Sequence, residues 1–463
     1  MTTWKPDIQD GKAPLYSRLA EAIGRDVASG ALPPGFKLPP HRELADALGI
    51  NVSTVTRGYA QAQRLGLVSG TVGRGTFVSA DAGANVSMVS LEPAFAGFLE
   101  MGLIEPFHHL DPDLSLGLKR LAKRRNLDVF LRFGDPRGLP EHRKTGAEWV
   151  ARYGASVSPE RIIVCSGSQH ALTCCLGGLF RPGDRIATAS LSYPGLKTLA
   201  AMLGLRLVPV ETDEEGLSPQ SLDAACGRGA ARVKGVYANP GVHNPTTARM
   251  SLARRREIAA VAKKRDLIIL EDEAFDLALG GDIAPLFTLA PERAVFAAGV
   301  SKVMAGGLRV GFLAAPPAFQ SALAQAVLNT IWMTPPLTVA LLRQWIEDGV
   351  ADRVLAEKRA EAKARFALAK DILAGWTILG DPAGYFFWLP LPRPLTGAAF
   401  EAALREHGVN VFGAEKFAVG EARAPAAARI SLTGARDREE LARGLRLIAD
   451  LLAGRLASPA PMA

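Results

Sequence analysis

The sequence contains no apolar run that approaches the roughly 18 residues needed by a membrane-spanning helix. Residues 1–7 lack the apolar stretch that is typical of a secretory signal peptide. We also find no internal repeat. We therefore expect a cytoplasmic protein that has no membrane partner.

Cysteine is scarce, with four residues in a chain of 463. Their spacing lacks the paired pattern of zinc ligands, and their number is too small for a disulfide framework. We expect reduced, buried thiols and no metal site. The four positions are Cys165, Cys174, Cys175 and Cys226.

The length and composition are those of a globular protein with several domains. At roughly 150 residues per domain, 463 residues correspond to about three folding units. Hydrophobic residues at 48% and charged residues at 22% are sufficient for a large core and exclude intrinsic disorder. The net charge of +8 is compatible with a polyanionic partner but does not by itself indicate one.

Three helical patterns precede a hairpin signal near the amino terminus. Apolar residues at four-residue steps predict a helix over residues 13–30. A second, short helix follows Pro39-Pro40 and ends at Gly49, and Asn51 is a suitable N-cap for a third. The glycine-rich hairpin signal at 72–78 adds a wing. Together these elements predict a winged helix-turn-helix.

The third helix carries residues suited to DNA. Recognition needs short polar side chains near the helix start for base edges, together with cations that hold phosphates. Thr54 and Arg57 share one face of this helix, while Arg42 and Arg74 are placed to hold the backbone on either side. A small helical bundle with solvated arginines is the alternative. The candidate DNA-binding residues are Arg42, Asn51, Ser53, Thr54, Arg57 and Arg74.

Residues 14–78 resemble the GntR family of winged helix-turn-helix repressors. Three strings carry the resemblance: Pro14-Leu15-Tyr16, Leu38-Pro39-Pro40-His41-Arg42-Glu43-Leu44-Ala45 and Gly73-Arg74-Gly75-Thr76-Phe77-Val78. The resemblance implies double-stranded DNA as a partner. Val52 stands where this family usually has an arginine, so the operator sequence cannot be transferred.

The remainder of the chain reads as an α/β protein. After residue 134, short apolar runs such as 162–164, 267–270 and 294–297 alternate with helical patterns. Such runs predict a parallel sheet covered on both faces. We divide the chain into a winged helix-turn-helix at 1–80, a linker at 81–113, a large domain at 114–344, a small α+β domain at 345–455 and a flexible tail at 456–463.

Four features at predicted strand ends can carry chemistry, because small molecules bind at that edge of an α/β sheet. Lys302 is a candidate for Schiff-base formation, although most lysines are surface charges. Asp272 can pair with a pyridinium nitrogen, or else cap a helix or form a salt bridge. The turn at 166–169 opens a helix and suits a phosphate, or only caps it. Tyr193 can stack on a flat ring, or belong to the core.

With the Asn244-Pro245-Thr246-Thr247 string, these features resemble the fold-type I aminotransferases from about residue 114 to 455. The resemblance implies pyridoxal 5′-phosphate bound to Lys302, with Asp272 on the pyridine nitrogen and Asn244 on the phenolic oxygen. It implies Tyr193 stacked on the ring and Arg429 on a substrate α-carboxylate. The implied phosphate-binding residues are Ser168, Gln169, Ser301 and Arg309.

The two parts together are similar to the MocR subgroup of GntR regulators, whose pattern also fits the string at 133–140. This likeness implies a head-to-tail homodimer. Phe275 stands where aminotransferases usually have a tyrosine hydroxyl, and Gly299 stands where they have a hydroxyl residue on the phosphate. Loss of the donor should raise the pKa of the cofactor imine and leave a less finely tuned site. Asn244-Pro245-Thr246 keeps the aminotransferase form of this loop rather than the aromatic-proline form common in MocR proteins, which leaves residual transamination open.

Three functions are compatible with this sequence. The first is a transcriptional regulator that senses an amino acid or a related amine through pyridoxal phosphate on Lys302. The second is a working aminotransferase with an accessory DNA-binding module, and the third is a dimerisation scaffold without a cofactor. An enzyme does not need the DNA-binding set, and a scaffold does not need Lys302, Asp272 or Asn244. We therefore favour the regulator.

Overall fold

The computed structural model describes residues 4–8, 14–29, 32, 35–64, 67–71, 75–78, 98–227, 229, 232–280 and 283–456. The hairpin tip with Arg74 and the tail at 457–463 lie outside the described residues. Within the described parts of the chain, no helix is long and apolar enough to span a membrane.

The amino-terminal elements form the predicted winged helix-turn-helix. They are α1 (Leu15–Ser29), α2 (His41–Leu48), α3 (Val52–Arg64) and the antiparallel strands β1 (Val68–Thr71) and β2 (Gly75–Val78). Gly49 ends α2 in the left-handed conformation, at a φ of 65° that favours glycine. Asn51 then accepts a hydrogen bond from the backbone N–H of Ser53 at 2.9 Å, as a cap for α3. Leu19, Val55 and Tyr59 are buried between the helices.

Part of the predicted linker packs against the small lobe. Strand β3 (Leu99–Glu100) pairs in parallel with the short strand β14 (Val409–Asn410), and a single 3-10 turn follows at His108–Leu110. The alternation of Leu99, Met101 and Leu103 in this segment is typical of a short strand, and the linker prediction overlooked this signal. The domain boundaries themselves stay predictions.

A seven-stranded sheet forms the centre of the large domain. Its strands are β4 (Ile162–Cys165), β5 (Arg185–Ala189), β6 (Arg206–Val210), β9 (Val233–Ala238), β10 (Ile268–Glu273), β11 (Ala294–Gly299) and β12 (Gly311–Ala314). The spatial order is β4-β12-β11-β10-β9-β5-β6, and β12 is antiparallel to both neighbours while the other pairs are parallel. All residues of β4, β11 and β12 are buried, as expected for strands covered on both faces. The predicted parallel α/β fold is confirmed.

Helices cover both faces of this sheet. They are α4 (Leu114–Leu121), α5 (Pro140–Ala151), α6 (Ser168–Leu179), α7 (Pro194–Met202), α8 (Pro219–Ala225), α9 (Leu252–Arg265), α10 (Asp276–Leu279), α11 (Leu286–Leu289), α12 (Pro317–Ile331) and α13 (Pro336–Glu347). A small hairpin of β7 (Thr212–Asp213) and β8 (Gly216–Leu217) precedes α8. The sequence analysis does not predict β6 and β12, because Arg206 and Pro209 interrupt the apolar run of β6, and β12 begins with Gly311, a residue that is rare in strands.

The predicted small lobe is a three-stranded antiparallel sheet with helices. Its elements are α14 (Val350–Ile372), β13 (Phe386–Pro390), α15 (Gly397–Glu406), β14, β15 (Phe412–Gly413), β16 (Ala427–Ser431) and α16 (Arg438–Leu452). The sheet order is β13-β16-β15, and β14 pairs with β3 instead. Strand β16 carries Arg429 in the middle of this sheet, where the side chain is buried.

Candidate functional site

A cavity of about 200 Å³ lies at the carboxyl ends of the strands of the large sheet. Small molecules bind at this edge in open α/β sheets. All nine residues that the sequence analysis predicts to bind the cofactor or the substrate line this cavity. They are Ser168, Gln169, Tyr193, Asn244, Asp272, Ser301, Lys302, Arg309 and Arg429. Their individual roles stay predictions.

Lys302 extends into the cavity from the turn after β11. Burial, together with the positive charges of Arg429 and Arg309, lowers the pKa of its amine to about 8. Its Nζ atom donates a hydrogen bond to the backbone oxygen of Ile104. An amine with this pKa is partly neutral near pH 8 and can act as a nucleophile.

Asp272 lies on β10, beside the buried strand β9. Its Oδ2 atom accepts a hydrogen bond from the Tyr237 hydroxyl at 2.7 Å, while Oδ1 is buried and has no hydrogen-bond partner among the residues that the structure describes. Burial raises the pKa of this carboxyl to about 6. A buried carboxylate oxygen without a partner is costly, and a pyridinium N–H would satisfy it.

The turn before α6 approaches Arg309 closely. Gly167 has a φ of +86°, and a Cβ atom there would lie 2.5 Å from Nη2 of Arg309. Arg309 itself is left-handed, with a φ of 50°, and its Nη1 donates to Oγ of Ser301 at 3.2 Å. The free N–H groups at the start of α6 therefore lie beside a guanidinium and a hydroxyl, which suits a phosphate.

Gly299 makes room for the hydroxyl of Ser168. A Cβ atom at position 299 would overlap Oγ of Ser168. Aminotransferases usually have a hydroxyl side chain at position 299, and here the space beside Gly299 holds the Ser168 hydroxyl. The candidate phosphate site therefore still has a hydroxyl at this place, although it comes from α6 and not from β11.

Tyr193 is held in place from two sides. Its hydroxyl donates to Oε1 of Gln169 at 2.9 Å, and Gly195 leaves space that a Cβ atom would take from the tyrosine ring. Burial raises the pKa of Tyr193 to about 12, so its hydroxyl stays protonated at neutral pH. The ring is therefore fixed at the cavity wall, as a stacking role requires.

Arg429 enters the cavity from the small lobe. Its Nη1 donates to Oδ1 of Asn244 at 2.7 Å, and its Nη2 donates to the backbone oxygen of Gly102 at 2.5 Å. The Nε atom is buried, and no described residue is its hydrogen-bond partner. Burial lowers the pKa of the guanidinium to about 9. An unsatisfied buried cation of this kind is suited to bind a carboxylate.

Phe275 contributes no polar group. Its ring lies 5.3 Å from that of Phe386 and 6.4 Å from that of Tyr385, measured between centroids. It also lines the cavity beside Asp272. The hydroxyl that aminotransferases usually place here therefore has no counterpart at this position.

Sequence reasoning missed Tyr237, Asn239 and the stretch that carries Leu103 and Ile104. Tyr237 and Asn239 hold Asp272, since Asn239 donates to its backbone oxygen at 2.9 Å. Tyr237 and Asn239 could have been identified as site residues if β9 had been predicted to pair with β10, because the carboxyl ends of parallel neighbours lie side by side. Leu103 and Ile104 carry no motif, and their place at the cavity follows from tertiary packing.

The four cysteines are free and buried. Cys165, His170 and Cys174 place one sulfur or ring nitrogen each within 4.8 Å of one another. The backbone N–H of Ser166 donates to Nδ1 of His170, which assigns the ring proton to Nε2, 3.3 Å from Sγ of Cys174. A protonated Nε2 is a donor rather than a metal ligand. The group is therefore suited to a hydrogen-bonded thiol cluster.

The described DNA-binding candidates lie on the surface of the winged helix-turn-helix. Arg42, Asn51, Ser53 and Arg57 are exposed, and Thr54 is half-buried. The Arg57 guanidinium lies 4.1 Å from the centroid of the Tyr16 ring, which restricts its position. Arg74 lies outside the described residues.

Comparison with known proteins matches both parts of the chain. The family described as aminotransferase class I and II matches residues 117–448, and bacterial regulatory proteins of the gntR family match residues 15–78. The HTH-type transcriptional regulator YdeF of Bacillus subtilis (strain 168) is 34% identical over 450 residues, which cover 97% of this chain and 97% of that protein.

Solved aminotransferases share the fold. An archaeal alanine:glyoxylate aminotransferase gives a TM-score of 0.73 at 24% identity and covers 86% of this chain and 99% of its own. LysN, an alpha-aminoadipate aminotransferase from Thermus thermophilus complexed with N-(5′-phosphopyridoxyl)-L-leucine, gives 0.68 at 26% identity and covers 81% and 97%.

The chain belongs to the aminotransferase class I and II family and, among the GntR regulators, to the MocR subgroup, in which a winged helix-turn-helix precedes an aminotransferase-like domain. Its cofactor is pyridoxal 5′-phosphate. The unpaired Oδ1 of Asp272, the amine of Lys302 and the cradle around Arg309 fit its ring nitrogen, aldehyde and phosphate, respectively.

We expect the affinity for pyridoxal phosphate to depend on ionisation of Asp272. The carboxylate, and not the carboxylic acid, pairs with a pyridinium N–H, so affinity should rise as the pH increases through about 6, the pKa of this carboxyl. Asp272→Asn should weaken binding about tenfold or more at pH 7, the value of a hydrogen bond to a charged group. The measurement is cofactor titration from pH 5 to 8.

The exposed Asp371 on α14 provides the control, since Asp371→Asn should leave the titration unchanged. The cofactor also titrates in this range, so the decisive quantity is the affinity difference between native protein and Asp272→Asn. A difference that does not change with pH would contradict the assignment.

A second prediction concerns the exchange between Gly299 and Ser168. Gly299→Ser should force the Ser168 hydroxyl out of the cradle and weaken cofactor binding about tenfold, the value of one charged hydrogen bond. Adding Ser168→Ala removes the overlap, so the double variant should bind more tightly than Gly299→Ser alone. Equilibrium titration of the three variants measures this coupling, and additive effects would refute it.

Proposed function

We propose that this chain is a transcriptional regulator that senses an amino acid or a related amine through pyridoxal phosphate. In this proposal it acts in the cytoplasm as a head-to-tail homodimer on double-stranded DNA. The observation that carries the proposal is the presence of two different sets of groups in one chain. One set lines the cavity around Lys302, Asp272 and Arg429, and the described members of the other lie at the surface of the winged helix-turn-helix.

The cavity contains the groups needed to hold an amine that carries a carboxylate. Pyridoxal phosphate, when bound, supplies an aldehyde that condenses with amines. Lys302 offers the resident amine, and Asp272 holds the ring nitrogen in its protonated form. Arg429 lines the same cavity, and its buried Nε donor has no hydrogen-bond partner in the described part of the chain. The effector class follows from these groups: an amine with an anionic group that Arg429 can bind.

The surface residues of the winged helix-turn-helix, of which Thr54 is half-buried, suit the two kinds of DNA contact. Thr54 and Arg57 lie on α3, where a recognition helix meets base edges. Arg42 lies on α2, where its charge can hold a phosphate. The stacking of Arg57 on Tyr16 limits the entropy that the side chain loses on binding.

An apolar surface supports the homodimer. Leu131 is 90% exposed, Phe133 84% and Trp332 52%, and the rings of Phe133 and Trp332 lie 5.5 Å apart between centroids. Large apolar side chains grouped in this way mark an interaction surface rather than a solvated one. We assign a second copy of this chain as the partner, because Phe133 begins the string 133–140 that fits the MocR pattern.

Aminotransferase activity is the second candidate function. The contact of Asn244 with Arg429 favours it, since this pair places a carboxylate site next to the expected phenolic oxygen. The phenylalanine at 275 favours the regulator, because it lacks the hydroxyl donor of that oxygen. Steady amino-group transfer to 2-oxoglutarate at rates useful to a cell would establish the enzyme.

We expect the cofactor to be attached at Lys302. Purified protein with pyridoxal phosphate should show a visible absorbance band that borohydride fixes covalently, and Lys302→Ala should lose both properties. Lys363→Ala, at an exposed position on α14, should retain them. Mass spectrometry of the reduced protein locates the attachment, and an unmodified Lys302 would leave only a DNA-binding module with an unknown trigger.

The same band provides a screen for the effector. Amino acids and related amines that enter the cavity should shift the spectrum of the bound cofactor. Compounds that shift it should also change the affinity for promoter DNA by about 5- to 150-fold, the usual range of allosteric coupling. A compound that shifts the spectrum without any effect on DNA would favour the aminotransferase.

Measurements of DNA affinity for two variants should distinguish a phosphate contact from a base contact. Arg42→Ala should weaken binding to specific and non-specific DNA alike and reduce the salt slope by about 1. Thr54→Ala should weaken only the native promoter, by about tenfold. Fluorescence anisotropy at several salt concentrations measures both effects. The exposed Arg446 on α16 provides the control, and an Arg446→Ala protein that loses as much affinity would refute the assignment.

A further inference from the structure

The residues 98–105, here called the crossing segment, lie between the small lobe and the cavity. The Leu99 N–H donates to the Gly408 oxygen and the Met101 N–H to the Asn410 oxygen, both at 2.8 Å. The Ser431 N–H donates to the Met101 oxygen at 2.7 Å. These bonds fasten the segment to strands β14 and β16.

Glu100 fixes the turn that follows. Its Oε1 atom accepts the backbone N–H groups of Gly102 and Leu103, both at 2.7 Å. The Asn410 amide donates to the two carboxylate oxygens at 3.0 and 2.8 Å. Gly102 also packs tightly, since a Cβ atom there would lie 2.7 Å from the Phe412 ring. The turn therefore has one well-defined position.

This turn presents backbone oxygens to two of the three cations that line the cavity, Arg429 and Lys302. The Gly102 oxygen accepts a hydrogen bond from Nη2 of Arg429 at 2.5 Å, and the Ile104 oxygen accepts one from Nζ of Lys302. Arg429 is 3% exposed, so water cannot readily replace a lost partner. The contact of Arg429 with the Gly102 oxygen is the one that the carboxylate of an effector can change directly.

We propose that the carboxylate of an effector takes Arg429 from the Gly102 oxygen and thereby loosens the crossing segment, which continues through residues 79–97 to the winged helix. This inference rests on the proposed function and assigns its regulatory route. Residue 98 is the first described residue after strand β2 ends at Val78. The effector signal therefore leaves the cavity along the covalent chain that leads to the DNA-binding module.

The guanidinium geometry favours the exchange. Nε and one N–H of Nη2 share one edge of the guanidinium plane, and Nε has no hydrogen-bond partner among the described residues. A carboxylate that binds this edge in a bidentate manner satisfies Nε, and its negative charge then lies beside the Gly102 oxygen on the same Nη2 atom and repels it. Charged acceptors form shorter and stronger hydrogen bonds than a neutral backbone oxygen. The ligand therefore binds the protein more tightly when the crossing segment has released Arg429 than when the Gly102 oxygen holds it. Such a difference in affinity is required if ligand binding is to be coupled to the position of the segment.

A matched pair of ligands tests the exchange on the full-length protein. After removal of the cofactor, the protein is loaded with N-(5′-phosphopyridoxyl)-L-alanine or with N-(5′-phosphopyridoxyl)ethylamine, which lacks only the carboxylate. Amide hydrogen exchange in the peptide 98–105 should be about tenfold faster with the first than with the second, as expected for loss of one charged hydrogen bond. Promoter affinity should differ between the two complexes in parallel.

The outcomes separate the inference from the proposed function. Equal exchange in two tightly bound complexes, or slower exchange with the alanine adduct, overturns the inference and leaves the proposed function standing. Failure of both adducts to bind overturns both. Faster amide exchange in peptide 98–105 together with an altered promoter affinity supports the inference as a whole. Faster exchange without a change in promoter affinity overturns the proposed transmission from the crossing segment to the winged helix.

A variant outside the cavity provides an independent test. Glu100→Gln removes the charge that holds the amides of Gly102 and Leu103, so the segment should exchange about tenfold faster even with the ethylamine adduct, and the carboxylate should add less than about twofold. Glu421→Gln, at an exposed position, is the matched control. Unchanged exchange in a folded Glu100→Gln protein would overturn the role of Glu100.

Discussion

The site depends on the burial of charges that do not neutralise one another. Lys302, Asp272 and Arg429 line one cavity, and none of them is the hydrogen-bond partner of another among the described residues. Their removal from water is unfavourable, which is why burial moves the pKa of each towards its neutral form. Such an arrangement persists because the sheet and the small lobe fix each side chain separately. A ligand with the complementary set of charges therefore finds partners already desolvated and oriented.

The order of the strands produces this arrangement. Strands β9, β10 and β11 are parallel neighbours, so their carboxyl ends deliver Tyr237, Asp272 and the turn to Lys302 at one edge. Strand β16 brings Arg429 from a different sheet, and the crossing segment bridges the two. The cavity thus lies where the large domain meets the small lobe. A ligand that contacts both can change the hydrogen bonds between the crossing segment and Arg429, which is how we propose that ligand binding affects DNA binding.

The sequence predicted the buried strands and most of the cavity because their signals are local. Apolar runs identified β10 and β11, and the residues that follow such runs are placed by the sheet itself. The role of the crossing segment could not be predicted, because Gly102 and Ile104 act through backbone oxygens, which no side-chain pattern reveals. Likewise, the effect of Gly299 depends on the Ser168 hydroxyl, which comes from the start of α6. The side chains that line the cavity are therefore predictable from motifs. Hydrogen bonds to backbone oxygens, and the space that a missing side chain leaves, can be found only from the tertiary structure.

A sensor and a catalyst place different demands on the same groups. Both need the amine of Lys302, the carboxylate of Asp272 and a cation for the substrate, because these groups bind the cofactor and the ligand. Turnover also needs donors that adjust the electronic state of the ring through its phenolic oxygen, and Phe275 provides none. Retention of a ligand is useful to a sensor, since only the bound state changes the DNA-binding equilibrium. The loss of a tuning group beside intact binding groups is therefore consistent with selection for occupancy rather than for release of product.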